Sequence, residues 1–258
     1  MLIPRVIPCL LLLDGTMVKT IQFKKPNYLG DPVNVINLFN RFEVDEIVLL
    51  DIRATVEGRS PDFDLIKRLA EECWVPLTYG GGVSSPEHVE CILQAGVEKV
   101  VINSAASLRP GLVSDCSKVF GAQSIVVGID VRRKLLSGYE VMIQSGERGL
   151  GCRPEEQARR MADLGAGEIF LNAIDRDGMM EGYDLRLISS VSKAIDIPLI
   201  ACGGAGVRDD LPLPIVRAGA SAVAAGSLFV FRGRERGVLI NFPERSELER
   251  LFSHGEAE

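Results

Sequence analysis

A stretch of 38 residues occurs twice in the chain, and this internal repeat constrains the fold more than any other feature. Residues 46–83 align without a gap with residues 168–205, and 11 of the 38 aligned positions are identical. Average residue usage gives roughly two or three identities by chance. The repeat begins at Glu46 and Glu168 and ends in the glycine pairs Gly81-Gly82 and Gly203-Gly204. The repeat indicates that the chain arose by duplication of one structural unit, with half-repeats at about 1–121 and 122–258.

Short apolar runs alternate with helical patterns through both halves. Asp31-Pro32, Ser60-Pro61 and Ser85-Pro86 are typical helix starts. Strands are predicted at residues 6–13, 46–52, 76–79, 99–103, 124–130, 168–174, 198–201 and 222–226. Eight such strands predict one domain over residues 1–258, a (βα)8 TIM barrel made of two (βα)4 halves. Two small domains are an alternative at this length. An open Rossmann-type sheet is another, but no strand leads into GxGxxG with an acidic residue about 20 positions further on.

Two connections are longer than a barrel needs. Residues 16–30 read as a long loop, a candidate lid over the mouth of the barrel. Residues 131–152 read as a second extra loop, with a small hairpin predicted around residues 139–144.

Charge and cysteine usage narrow the function classes. The net charge of −6 argues against nucleic acid as a general partner. The six cysteines are scattered without a CxxC motif. The chain has only two histidines, His88 and His254, which is little material for a zinc site or a Ser-His-Asp triad. The apolar run 6–13 is too short to span a membrane. We therefore expect a cytoplasmic enzyme with reduced thiols, no metal, no cofactor and no membrane partner.

Glycines and hydroxyl side chains follow the predicted strands at the end of the barrel where chemistry occurs. After strands three and four stand Gly82, Asn103 and Ser104, and after strands seven and eight stand Gly203, Gly204, Gly226 and Ser227. Exposed backbone N–H groups at such positions bind phosphate, and the last two strands carry the usual phosphate site of this fold. Two such sites across one mouth suit an elongated ligand with a phosphate at each end. The alternative is that these glycines only form tight turns.

Three aspartates, Asp51, Asp130 and Asp177, also lie at strand ends and are candidates for a general acid or base. Asp130 closes the apolar run 125–129, where an inward carboxylate would meet a substrate. Each could equally be a loop or capping aspartate. Lys19 in the first long loop could cover a phosphate or be a solvated surface lysine.

Four charged residues lie at or just before the opposite ends of the strands: Arg5, Glu46, Lys99 and Glu168. They predict a ring of ion pairs across the barrel floor. On the residues alone a purely structural plug is the better interpretation, because buried charges must be paired.

These motifs together resemble the cyclase subunit of imidazole glycerol phosphate synthase over nearly the whole chain. The matching segments are Asp14-Gly15 with Val18-Lys19, Gly30-Asp31-Pro32, Leu50-Asp51-Ile52, Gly80-Gly81-Gly82, Ile102-Asn103, Phe120-Gly121 with Gln123, Ile129-Asp130, Gly165-Ala166-Gly167-Glu168, Ile174-Asp175-Arg176-Asp177-Gly178, Gly182-Tyr183-Asp184 and Gly203-Gly204-Ala205-Gly206. The resemblance implies a bis-phosphorylated ribonucleotide ligand and a heterodimer with a glutaminase, whose ammonia crosses the barrel. It implies that the floor ring is the ammonia gate and that Glu98 and Gln123 meet the glutaminase.

One departure from the family is chemically decisive. In this family two aspartates, at the ends of strands one and five, catalyse closure of the imidazole ring of the product. Asp130 matches the second aspartate, but Leu11 stands at the position of the first. Leucine cannot transfer a proton. Val101, Asn172 and Met179 also stand where the family tends to carry hydroxyl side chains.

Residues 7–12, 202–204, 225–231 and 237–240 resemble a paralogous branch associated with surface-polysaccharide genes. The resemblance implies ammonia supply to an ATP-using sugar amidotransferase. A cyclase that tolerates Leu11, with Asp51 or Asp177 taking over, and a non-catalytic scaffold that binds a phosphorylated ligand remain alternatives.

Overall fold

The computed structural model describes residues 3–134, 138–233 and 235–254, and its centre is a closed barrel of parallel strands. The strands are β1 Arg5–Leu13, β2 Ile47–Asp51, β3 Leu77–Gly80, β4 Lys99–Ile102, β5 Ile125–Arg133, β6 Glu168–Ala173, β7 Leu199–Cys202 and β8 Ala222–Ala225. Each pairs with the next in parallel, and β8 pairs with β1 to close the ring. The predicted TIM barrel is confirmed, and the Rossmann-type alternative is wrong.

Helices surround the barrel. They are α1 Pro32–Arg41, α2 Phe63–Glu72, α3 Pro86–Gln94, α4 Ser104–Leu108, α5 Gly111–Phe120, α6 Pro154–Asp163, α7 Leu185–Ser192, α8 Leu213–Ala218, α9 Ser227–Val230 and α10 Arg245–His254. No helix among the described residues is long and apolar enough to cross a bilayer. Alternate residues of each strand face outward and form a core with these helices, while the others fill the barrel interior, as period-two strands require.

Aspartates related by the repeat begin two of the helices. The Asp62 carboxylate accepts the Leu65 amide at the start of α2, and Asp184 accepts the Leu187 amide at the start of α7, each at 3.0 Å. The predicted cap Ser60-Pro61 is therefore wrong by two residues: Asp62 is the cap, and its negative charge is favoured at the positive N-terminal end of the helix. Asp31 and Ser85 cap α1 and α3 as predicted.

Each half extends its first barrel strand into an antiparallel hairpin. The predicted loop 16–30 is wrong: strand Thr16–Ile21 pairs back onto β1, and strand Lys24–Gly30 pairs with Thr16–Ile21. Met17 and Val18 become buried there, which drives the pairing despite the loop-like Lys24-Lys25-Pro26. In the second half Tyr139–Ile143 pairs with β5 and with Arg148–Gly149, so a hairpin forms in the region where one was predicted around residues 139–144. A short pair, Phe231–Arg232 and Gly237–Val238, precedes α10.

Candidate active site at the barrel mouth

A cavity of about 570 Å³ opens at the carboxyl ends of the barrel strands. It brings together all the residues predicted for the mouth: Leu11, Lys19, Asp51, Gly82, Asn103, Ser104, Asp130, Asp177, Gly203, Gly204, Gly226 and Ser227. Residues from both halves of the chain therefore form one site. At three positions the chain lacks the hydroxyl side chains that the resemblance led us to expect. Of these, Val101 and Asn172 line the cavity and Met179 does not.

The strand register arranges the inward-facing side chains in levels, as in other barrels of this type. Leu11 and Asp130 stand at the rim. Below them follow Leu50, Asn103, Asn172 and Gly226, then Cys9, Gly80, Gly128 and Cys202, then Val48, Val101, Phe170 and Ala224. The two glycines of the third level leave the cavity open towards the barrel axis, and the fourth level is lined by apolar side chains.

Leu11 and Asp130 occupy equivalent places in the two halves. On β1, Leu11 lies opposite Leu50 of β2, and on β5, Asp130 lies opposite Asn172 of β6. Leu50 and Asn172 are related by the same sequence offset that relates Glu46 to Glu168. The first half of the mouth thus carries the apolar pair Leu11–Leu50 at the place where the second half carries the polar pair Asp130–Asn172.

Asp130 is held in the surroundings that a proton-transfer group needs. The Asn103 amide donates to Asp130 Oδ2 at 2.9 Å. Burial raises the pKa of Asp130 from 3.8 to about 7; the amides of Asn103 and Asn172 oppose the rise, and the charge of Asp177 adds to it. A carboxyl group with a pKa near the working pH can both give and take a proton. Asp130 is therefore the strongest acid–base candidate at the mouth.

The raised pKa makes stability depend on pH, and we expect Asp130→Asn to stabilise the protein in alkaline solution. Between pH 4 and 7 the folded chain holds a proton on Asp130 that the unfolded chain has lost, so the free energy of unfolding falls as pH rises and levels off above about pH 7. The full effect is roughly 4 kcal/mol at 1.36 kcal/mol per pKa unit. Thermal unfolding of both proteins at pH 5 and pH 8 should show a gain of about 2–4 kcal/mol at pH 8.

At pH 5 the same comparison provides the control, because Asp130 is mostly protonated there and resembles asparagine. The substitution keeps an acceptor for Asn103, so a gain of equal size at both pH values would contradict the raised pKa.

Lys19 is buried rather than solvated. Its ammonium group pairs with the Asp177 carboxylate, which also accepts the Thr20 hydroxyl at 2.8 Å. The aliphatic part of Lys19 runs beside Gly226, where a Cβ atom would lie 2.8 Å from the lysine Cε. The first hairpin is thereby fixed against the second half of the mouth, and the alternative of a solvated Lys19 is wrong.

Asp51 lines the mouth but uses its carboxylate locally. Its Oδ1 accepts the amides of Arg53 and Ala54, both at 2.9 Å, and Arg59 lies 3.8 Å from Oδ2. Asp51 belongs to the outward-facing alternation of β2, since Val48 and Leu50 face inward. Its geometry is that of a capping aspartate.

The sequence reasoning missed Thr55 and Arg132. Thr55 accepts the Gly82 amide at 3.1 Å, and the predicted residue Ser104 accepts the Gln144 amide at its Oγ, at 3.0 Å. Arg132 also lines the cavity and packs against Gly146, with no acidic partner in the described part of the chain. The repeat could have pointed to Thr55, since it aligns with Asp177.

Two cysteine thiols from different strands meet inside the barrel below the rim. Contact with Cys9, followed by burial, raises the pKa of Cys202 well above its ordinary value. A protonated thiol is a poor nucleophile, so Cys202 is a packing group of the cavity wall.

The four predicted floor residues form one connected ion-pair cluster. Arg5 donates to Glu46 at 2.5 Å and to Glu168 at 2.7 Å, and Lys99 reaches the same two carboxylates at 3.1 and 3.2 Å. Burial of Arg5 acts to lower its pKa, and the charges of Glu168 and Glu46 outweigh it, so the pKa is raised. The cluster closes the end of the barrel opposite to the mouth.

Exposed residues surround this cluster. Glu98 and Gln123 are exposed at the starts of β4 and β5, and Glu98 also accepts the Leu77 amide at 2.6 Å. Trp74 lies at the floor end of the barrel, three residues before the start of β3, and is 78% exposed. An exposed tryptophan beside a charged cluster is typical of a protein interface.

Fold and site together define a TIM-barrel protein with a buried carboxyl group of raised pKa, Asp130, at its mouth and a charged cluster on its floor. The family model described as "Histidine biosynthesis protein" matches residues 5–234. The chain belongs to this family, and its relatives place it with the cyclase subunit of imidazole glycerol phosphate synthase.

Three relatives illustrate the likeness. A protein of Pseudomonas aeruginosa named "Putative imidazole glycerol phosphate synthase subunit hisF2" is 47% identical over 95% of this chain and 98% of its own length. A Vibrio vulnificus protein with the same designation, numbered hisF3, is 43% identical over 98% of this chain and 97% of its own. The imidazole glycerol phosphate synthase subunit HisF of Streptomyces avermitilis is 43% identical over 88% and 90% of the two chains.

Proposed function

We propose that this protein is an ammonia-conducting subunit that pairs with a glutaminase and has lost the ring-closing reaction of its family. The observation that carries the proposal is the combination of a complete floor cluster with Leu11 at the place equivalent to Asp130. The chain keeps what ammonia transfer needs and lacks one of the two proton-transfer groups.

The floor supports a gate function. Each glutamate contacts both Arg5 and Lys99, so moving either basic side chain leaves each carboxylate one remaining basic partner. Above the cluster the barrel interior is lined by apolar side chains such as Val48 and Phe170. Neutral ammonia crosses such a lining more readily than ammonium, because an ion pays a large desolvation cost.

The names of the relatives support a role beside the histidine pathway. Two of them carry the copy numbers hisF2 and hisF3. Such numbering is expected for a cytoplasmic paralogue in a cell that already has a histidine-pathway cyclase. We infer that the ammonia serves an ATP-dependent amidotransferase acting on a nucleotide-linked sugar for surface polysaccharide.

Docking of the glutaminase on the floor predicts an effect of Trp74→Ala. We expect the affinity for the co-encoded glutaminase to fall at least about tenfold, because exposed tryptophans that become buried are common anchors of interfaces. Titration calorimetry on the purified proteins gives the affinity, and the glutaminase rate gives the stimulation.

Tyr28→Ala is the matched control, since Tyr28 is 62% exposed on the first hairpin, at the mouth end. Its affinity should change less than about twofold. Equal losses in the two variants would contradict docking on the floor, and no complex with the wild type would overturn the proposed function.

A functional histidine-pathway cyclase is the second candidate. It is favoured by the environment of Asp130, whose pKa of about 7 suits proton transfer. Asp51 is a poor substitute for the missing aspartate because its carboxylate accepts backbone amides, and Asp177 is engaged by Lys19 and Thr20.

A further inference from the structure

An extra hairpin at the mouth has no counterpart in the first half of the chain. The repeat relates α4 to α9, because each of these short helices begins with a serine just after β4 or β8. Only residues 109 and 110 separate α4 from α5, whereas residues 231–244 separate α9 from α10. In this longer connection the strands Phe231–Arg232 and Gly237–Val238 form what we call the third hairpin. It is a separate two-stranded sheet, so the barrel closes without it.

The base of the third hairpin is fixed to the barrel. The Leu239 amide donates to the Val230 carbonyl at 2.9 Å, and the Asn241 amide donates to the Phe229 carbonyl at 2.8 Å. The ring of Phe229 packs against that of Phe242, with the ring centroids 4.9 Å apart. A surface element held in this way loses little conformational entropy when a partner binds to it.

The third hairpin lies at the mouth end of the barrel but outside the ligand cavity. It begins shortly after Ser227, which lines the cavity, and none of its own described residues does so. The charged cluster lies at the opposite end, on the floor. A glutaminase docked on the floor therefore leaves the third hairpin free, and a small ligand in the cavity does not contact it.

The outer surface of the third hairpin combines apolar and basic side chains. Val238 is 47% exposed, and the next residue, Leu239, is 44% exposed. Arg232 and Arg236 have no acidic partner in the described part of the chain. Residues 232–237 carry three arginines and one glutamate, although the net charge of the chain is −6. Apolar side chains beside arginine are typical of protein interfaces, and the local positive charge favours an acidic partner.

We propose that the third hairpin is the docking surface for the enzyme that consumes the ammonia, a protein with an acidic and partly apolar face. This inference rests on the proposed function and deepens it. Ammonia that enters at the floor leaves at the mouth, so an acceptor enzyme docked beside the mouth receives it before it mixes with the solvent. Val238 and Leu239 supply apolar area that is removed from water, and the arginines steer the approach.

Binding of the purified, co-encoded ATP-dependent amidotransferase to the complex of this chain with its glutaminase tests the proposal. The double variant Val238→Asp/Leu239→Asp should weaken this binding at least about tenfold, because apolar contacts are lost and negative charge faces an acidic partner. Val216→Asp, at a 41% exposed position of α8, is the matched control and should change the affinity less than about twofold. Titration calorimetry gives both affinities, and thermal unfolding verifies that each variant folds.

The charge of the third hairpin predicts that binding depends on salt. Raising NaCl from about 50 mM to about 500 mM should weaken the binding of the wild type roughly fivefold or more, because salt screens exposed charges. Arg232→Glu/Arg236→Glu should weaken binding at low salt and remove most of this salt dependence. An affinity of the wild type that does not change with salt would contradict an acidic partner face.

Three results would each overturn the docking surface: full affinity in Val238→Asp/Leu239→Asp, an equal loss in Val216→Asp, or no binding of the amidotransferase to the wild type. Self-association of the chain that the double variant abolishes would also overturn it, since the hairpin would then belong to a contact between two copies. The glutaminase should bind every variant and be stimulated equally. If this holds while the amidotransferase does not bind, the docking surface is wrong and the ammonia proposal stands.

Discussion

Leu11→Asp is expected to create cyclase activity where the unmodified protein has little or none. The assay supplies the bis-phosphorylated ribonucleotide of the family and a high concentration of ammonium salt, so no glutaminase is needed. Loss of one member of an acid–base pair typically costs 10²- to 10⁴-fold, or about 3–5 kcal/mol of barrier. Restoring a carboxylate at the place equivalent to Asp130 should recover part of that loss.

The recovery should be partial for two structural reasons. Asn172 and Val101 remain in the cavity wall in place of hydroxyl side chains, and the Gly82 amide remains bonded to Thr55. A substrate misplaced by about 1 Å can lose on the order of 10²-fold in rate.

Asp130→Asn in the Leu11→Asp background is the control. It should abolish the gained activity if Asp130 is the remaining acid or base. Full cyclase activity in the unmodified protein would show that Leu11 is tolerated and that the histidine-pathway candidate is correct.

Glu46→Ala is expected to have the largest effect on stability. The side chain is 3% exposed; its Oε1 accepts the Thr78 hydroxyl at 2.6 Å and its Oε2 meets Arg5 and Lys99. Removal leaves the partly buried Arg5 and Lys99 with Glu168 as their remaining carboxylate partner in the cluster, and the Thr78 hydroxyl without its acceptor. Breaking a buried pair in this way costs about 3–5 kcal/mol. At roughly 2–4 °C per kcal/mol, the midpoint of thermal unfolding should fall by on the order of 10 °C.

Glu168→Ala is the matched variant supplied by the repeat. Its side chain is 13% exposed and has the two basic partners without a threonine, so we expect about half the loss. Glu71→Ala, at an exposed position of α2, should stay within about 0.5 kcal/mol. Equal and small losses at Glu46 and Glu168 would show that the cluster is solvated and contributes little.

The barrel could be predicted because its evidence is local and repeated. The apolar runs, the helix caps at Asp31 and Ser85 and the duplicated segment all specify the same eight-stranded order, and agreement between levels is what a foldable sequence provides. The position of the half-repeat boundary, near residues 121 and 122, stays an interpretation. Asp62 shows the limit of such reasoning: Ser60-Pro61 is an acceptable helix start, and only the alignment with Asp184 favours the aspartate.

The mouth could be predicted as a set of residues but not as a set of contacts. That Leu11 and Asp130 face one cavity follows from alternation along the strands. That Lys19 is buried against Asp177 depends on the first hairpin folding across to the second half, a contact between residues 158 positions apart. The contact of Ser104 with the Gln144 amide depends on a hairpin that the sequence indicates only weakly. Long-range contacts of this kind leave no periodic signal in the chain.

One measurement tests the central claim most directly. The complex of this chain with its glutaminase is given glutamine and the bis-phosphorylated ribonucleotide, and glutamate and the imidazole product are quantified in the same reaction. We expect glutamate release well above that of the glutaminase alone, with imidazole product at about a hundredth of it or less, since Leu11 cannot transfer a proton. Imidazole product formed mole for mole with glutamate would contradict the account.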